Sequence, residues 1–165
     1  MSKDIRDAFF DQICEYALKD EQVVIVTDDM EIFSLRNFKK ACPHRFFNPG
    51  VAEQQIINFA AGLASVGKKV IVCGIASFIT FRCYEQIKVN ICSMNLPVVI
   101  VGLGAGLSFS SDGTTHHSIQ DIAVMRSIPE IEIYNPSDSL SAKKGAEVSY
   151  SSKIPVYIRI DKGVF

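Results

Sequence analysis

Short, uninterrupted apolar runs alternate along this chain with longer segments whose apolar positions recur every three or four residues. Ile5, Phe9, Ile13, Tyr16 and Ala17 form the first such stripe and predict a helix over about 3–19. VVIVTDD (23–29) is a β-branched run ending in acidic residues, the pattern of a buried strand. A short helix is expected within 31–41, and a brief extended piece at 44–47. A further helix is expected to open after Asn48-Pro49-Gly50, run to about Ser65 and stop at Gly67. KVIVCG (69–74), LPVVIVG (96–102), IEIYN (131–135) and PVYIRI (155–160) read as strands. Helices are expected over 78–94, near 119–127, and from about Ser137 to Tyr150, with a Gly/Ser-rich loop over 103–117.

Strands without period-two alternation, separated by helices, are buried on both faces. The pattern predicts one α/β domain over residues 1–165: a three-layer α/β/α sandwich around a mostly parallel sheet of about six strands. In such sheets ligands gather beyond the carboxyl ends of the strands. The positions that matter are then Asp28, Asp29, Glu53, Ala76 to Tyr84, and the 103–117 loop.

Composition narrows the function. The chain of 165 residues is 48% hydrophobic and 21% charged, with 17 basic against 18 acidic residues and a net charge of −1. There is no electrostatic footprint for nucleic acid or an anionic membrane. The start, MSKDIRDAFF, lacks a long apolar core, and no apolar run approaches a membrane span. Cys14, Cys42, Cys73, Cys83 and Cys92 are odd in number, scattered and without a C-x-x-C pair. Reduced, mostly buried thiols in a cytoplasmic protein are expected.

Four features invite chemistry, and each has a plainer reading. GLGAG (102–106) follows a strand, but Leu107 stands where a dinucleotide fingerprint needs glycine, so a flexible loop is expected. Asp112, His116 and His117 form the one dense polar cluster. Their spacing matches none of the usual zinc patterns, so no metal site is expected, and they are either ligand contacts or loop residues. Glu53 opens a helix, where an acid caps the first turn and meets the dipole. Phe78, Phe81 and Tyr84 recur every third position, as core residues do or as the wall of a pocket for an aromatic ring does.

Taken together, these segments resemble the pyrimidine-binding domain of transketolases and their relatives. FFNPGVAEQ (46–54) resembles the family segment in which a glycine, a small apolar pair and a glutamate open a helix. FITFRCYEQI (78–87) resembles its Phe-x-x-Phe-x-x-Tyr segment, SDGTTHHSIQD (111–121) its Asp-Gly-x-Thr-His segment, and PVYIRI its last strand. The similarity spans nearly the whole chain in the family's order.

The resemblance implies thiamine diphosphate as cofactor. Glu53 would hydrogen-bond N1′ of its aminopyrimidine and exchange a proton there, favouring the imino tautomer that removes the thiazolium C2 proton. That role calls for an acid shielded from water, its pKa raised by desolvation. Phe78, Phe81 and Tyr84 would pack on the pyrimidine, and His116 and Asp112 would contact the substrate, a ketose or 2-oxo acid. His117 receives no settled role. Gly104 stands where transketolases acting on long sugar phosphates carry another histidine, which leaves a smaller or different substrate open.

The family holds the diphosphate and its Mg²⁺ on a second domain, marked by Gly-Asp-Gly and a later asparagine. The chain has no such pattern, its one Asp-Gly pairing being Asp112-Gly113. The resemblance therefore implies a partner domain or subunit, in a homodimer or heterotetramer. The isolated chain is expected to be an inactive component of a transketolase-like transferase. The alternatives are the β-subunit type of 2-oxo acid dehydrogenase, a deoxyxylulose-phosphate-synthase-like enzyme and, from another class, a non-catalytic dimerisation or regulatory module.

Overall fold

The computed structural model describes residues 3–30, 32–161 and 163. Helix α1 (Ile5–Ala17) begins at Asp4, whose carboxylate accepts the Arg6 backbone N–H at 2.9 Å, as an N-cap should. Strand β1 (Val23–Thr27), helix α2 (Arg36–Ala41) and the two-residue strand β2 (Phe46–Phe47) follow. Next come α3 (Glu53–Ser65), β3 (Lys69–Ile75), α4 (Ala76–Phe81), α5 (Tyr84–Gln86) and β4 (Val99–Leu103). The chain continues through α6 (Asp121–Arg126), β5 (Glu132–Tyr134), α7 (Ser139–Ser151) and β6 (Val156–Ile160).

The described strands form one six-stranded sheet in the order β2-β1-β3-β4-β6-β5. Every pairing in it is parallel, so the sheet is wholly rather than mostly parallel. The cause lies in the connections: the chain returns to the same end of the sheet through a helix, and only that crossover delivers a parallel neighbour. Successive strand residues face opposite sides. Val23, Ile25, Ile71, Cys73, Val99 and Val101 pack under α1 and α7, while Val24, Val26, Val70, Val72 and Ile100 pack under α3 and α4. The shortest strands, β2 and β5, lie at the sheet's two edges, which limits the exposed backbone there.

One expected element differs. The single helix predicted over 78–94 is broken into α4, a turn at Arg82–Cys83, α5 and a π-helical stretch from Ile87 to Cys92. Side chains compete for backbone acceptors at the break: the Thr80 hydroxyl donates to the Ala76 carbonyl at 2.6 Å and the Cys83 thiol to that of Phe78 at 3.6 Å.

All five cysteines are buried free thiols. Burial pushes Cys83 and Cys92 up to about 12, which leaves both as poor nucleophiles. Among the described residues, no helix is long and apolar enough to cross a membrane.

Candidate active site

Four chain segments converge where β1, β3 and β4 end. Residues 28–30 leave β1, α3 begins at Glu53, α4 begins directly after β3, and the loop after β4 folds over the same end. Gly50 turns the chain into α3 with φ +88°, and its N–H is held by the Asn48 side-chain oxygen at 2.9 Å. This turn places Glu53 in the helix's first turn, where it is only 3% exposed.

Glu53 does not simply cap its helix. One guanidinium nitrogen of Arg82, at the break after α4, donates to both of its carboxylate oxygens at 3.1 Å. The Arg82 guanidinium also lies 4.2 Å from the centre of the Phe78 ring, a cation–π contact. Phe78 in turn meets His116 edge-to-face, with centroids 4.8 Å apart and planes at 64°. An acid, a base, an aromatic face and an imidazole thus form one continuous chain of contacts.

His116 sits on a single 3-10 turn, Thr114–His116, half-buried, with Nδ1 3.0 Å from the Thr115 hydroxyl. Ser77, in the first turn of α4, anchors this turn by donating to the Thr115 carbonyl at 3.0 Å. Asp112 lies on the preceding turn and is exposed. The Nε2 of His117 is buried and, among the described residues, has no hydrogen-bond partner.

The three expected aromatics do not share one wall. Phe78 joins the Glu53–Arg82 and His116 side, whereas Phe81 and Tyr84 line an open apolar hollow of about 750 Å³ against α6, with Ala123 and Val124. The Tyr84 hydroxyl is 2.8 Å from that of Ser127 in that hollow's rim. The helix break between Phe81 and Tyr84 divides the stripe that uniform helical spacing would have aligned.

Asp28 is a second acid in this end of the sheet. It is 4% exposed, and its Oδ1 has no hydrogen-bond partner among the described residues. Burial, and then the neighbouring Glu53 charge, push its carboxyl up to about 6, against the opposing pull of the Ile75 and Met30 backbone N–H groups. Among the described residues, no three His, Cys, Asp or Glu side chains converge to hold a metal ion.

The sequence matches the family model described as "Transketolase, pyrimidine binding domain" over residues 1–165. The chain belongs to this family. A subunit of the apulose-4-phosphate transketolase of Phocaeicola vulgatus is 38% identical over 158 residues, which are 95% of this chain and 51% of that protein. The 6-deoxy-6-sulfo-D-fructose transketolase subunit SqwH of a Clostridium species is 34% identical, across 94% of this chain and 49% of that protein. The 1-deoxy-D-xylulose-5-phosphate synthase of Caldanaerobacter subterraneus is 39% identical, with 95% of this chain and 25% of that protein covered. The transketolase pyrimidine-binding domain thus spans about half the length of the two transketolase subunits and a quarter of the synthase.

A solved structure of a split gene transketolase, described as an inactive beta4 tetramer, superposes with a TM-score of 0.87 at 30% identity, over 99% of this chain and 53% of that one. A Pichia stipitis transketolase shares the fold alone, with a TM-score of 0.87 at 16% identity, over 100% of this chain and 26% of that one.

Proposed function

We propose that this transketolase pyrimidine-binding domain supplies the aminopyrimidine side of a thiamine diphosphate site in a transketolase-like transferase. Its reaction would move a two-carbon ketol unit from a ketose or related donor. The observation that carries the reading is the burial of Glu53 at the carboxyl end of the sheet, linked through Arg82 and Phe78 to His116.

The residues suit the cofactor. An aminopyrimidine needs an acid kept from water beside its ring nitrogen and an apolar face for the ring, and Glu53 and Phe78 offer both. When bound, thiamine diphosphate supplies the carbanion equivalent needed to cleave a bond next to a carbonyl. Glu53 holds the proton at N1′, and its burial keeps water from competing for it. Phe78 packs on the ring, with Phe81 and Tyr84 extending apolar surface along the same stretch toward α6. His116 faces the substrate as a proton donor and acceptor, with Asp112 at the rim as a hydrogen-bonding partner for its hydroxyl groups.

The diphosphate and its Mg²⁺ fall to a partner domain or subunit, in a homodimer or heterotetramer. The apulose-4-phosphate transketolase subunit and SqwH, of which this chain spans half, support such a division. The free thiols suit a reducing cytoplasm. The 39% identity to 1-deoxy-D-xylulose-5-phosphate synthase favours a second reading, a deoxyxylulose-phosphate-synthase-like activity.

Capture of the protein from its native lysate with thiamine diphosphate and Mg²⁺ tests the proposal. A stoichiometric partner with a Gly-Asp-Gly diphosphate motif, or the same motif elsewhere in the chain's own polypeptide, is the expected result. A protein that has neither and binds no cofactor would overturn the reading.

A further inference from the structure

The loop from Gly104 to Ser118 leaves the end of β4 and closes on itself. Gly106 and Ser118 exchange backbone hydrogen bonds at 3.1 and 2.8 Å, an antiparallel bridge that ties the two ends together. The Ser108 hydroxyl reaches the Ala105 carbonyl at 2.8 Å and also meets the Asp161 carboxylate. Arg159 adds a donor to the Ser118 carbonyl at 3.3 Å. The loop is therefore a built platform.

Inside it, the Phe109 ring rests directly on Gly104. A Cβ added there would lie 2.1 and 2.3 Å from two ring carbons, far inside any real contact. The backbone at Gly104 also has φ +82°, which side-chain-bearing residues rarely adopt. Bare backbone at this position is thus what lets the ring sit where it does. Phe109 also meets His116, with centroids 6.5 Å apart and planes at 73°. His116 thus meets two aromatic rings, each near edge-to-face: Phe78 from α4 and Phe109 from its own loop.

We infer that Phe109, seated on Gly104, is a positioning residue that fixes the orientation of the His116 imidazole. Phe78 supplies one ring contact to the imidazole, and the Thr115 hydroxyl meets only Nδ1. The Phe109 ring adds a second near edge-to-face contact, which restricts rotation of the imidazole. The consequence for catalysis rests on the proposed role of His116 toward the substrate; the orientation itself does not.

The test uses the full-length protein assembled with its diphosphate-binding partner and ring-¹³C-labelled histidine. H116N assigns the His116 signal by difference. Hydroxypyruvate serves as the donor probe. G104A keeps the ring but dislodges it, F109A removes it, and F109Y keeps it in place.

G104A and F109A are each expected to shift and broaden the His116 signal and to lower kcat/KM about tenfold, mainly through kcat, as misalignment of a proton-transferring group does. G104A/F109A should be no worse than F109A, since both act through one ring. F109Y should keep the larger part of the wild-type value. An unmoved His116 signal in F109A, or additive losses in the double variant, would overturn the inference. If the signal follows Phe109 while H116N keeps full turnover, the orientation stands and the substrate role of His116 falls.

Discussion

Arg82 places a single guanidinium nitrogen 3.1 Å from each carboxylate oxygen of Glu53, so the buried acid of this site enters the fold already paired with a base. The arginine is half-exposed while the acid is nearly sealed, with side-chain exposures of 46% and 4%. One nitrogen bridging both oxygens engages one lone pair on each and leaves the carboxylate's remaining lone pairs available.

Removing only the arginine strands a buried charge. Arg82→Met is expected to lower stability by about 1–2 kcal/mol, less than a fully buried pair because water reaches the guanidinium. Glu53→Gln in the same chain should restore most of the loss. Urea unfolding of the two single variants and the double variant measures this, and equal losses in Arg82→Met and the double variant would contradict the pairing.

Asp28 gives a pH signature. Its folded carboxyl is raised to about 6, above the ordinary carboxylate value. The folded state therefore binds the proton more tightly than the unfolded chain does. Stability contributed by this group is full below about pH 4 and declines as pH rises through about 6. Asp28→Asn should match wild type at pH 4 and exceed it by about 3 kcal/mol at pH 7.5. Glu53 and Arg82 face the same end of the sheet, so the comparison is to be repeated in Glu53→Gln, where the gain should shrink. Thermal melts across that range decide it; an equal gain from Asp28→Asn at both pH values would refute the assignment.

Under the loop lies a second buried network. The Asp121 carboxylate accepts the Tyr157 hydroxyl at 2.7 Å and Arg159 Nε at 2.8 Å, and burial pushes the tyrosine phenol well up. Arg159→Met would leave Asp121, with 0% exposure, without its charge partner. A loss of about 3–5 kcal/mol is expected, together with faster exchange of the Ser118 amide hydrogen as the loop loosens. Unchanged exchange would separate the network from the loop.

Gly102 lies where that network meets the sheet. A Cβ there would come within 2.5 Å of the Tyr157 hydroxyl oxygen, so Gly102→Ala must push the tyrosine off Asp121. The expected cost is about 1–3 kcal/mol by denaturation, and Gly102→Ala in a Tyr157→Phe background should cost less. An equal cost in both backgrounds would place the strain elsewhere.

The strands were legible because β-branched runs such as VVIVT and VIVGL leave no polar face to expose, and the sheet followed from their alternation with helices. Glu53 was legible as the acid opening α3, and its burial bears on the role given to it. Its partner was not: Arg82 is 29 residues away and reaches it only because α4 breaks where it does. The same break separates Phe81 and Tyr84 from Phe78, and no spacing rule anticipates hydroxyl and thiol groups taking backbone acceptors. Asp28 was legible as a strand-end residue; its burial and its proximity to Glu53 emerge only once β1 and α3 are packed together. Gly104 stands out in sequence only as the place where some relatives would carry a histidine, and the ring resting on it becomes visible only once the loop closes.

The most direct test of the account is turnover and thiamine diphosphate affinity of the assembled enzyme carrying Glu53→Gln, with its fold checked by circular dichroism. Nearly complete loss of turnover with the fold retained is the predicted result, since the amide cannot exchange a proton with the ring nitrogen. Wild-type turnover in that variant would contradict the role assigned to Glu53 and, with it, the placement of the cofactor at this end of the sheet.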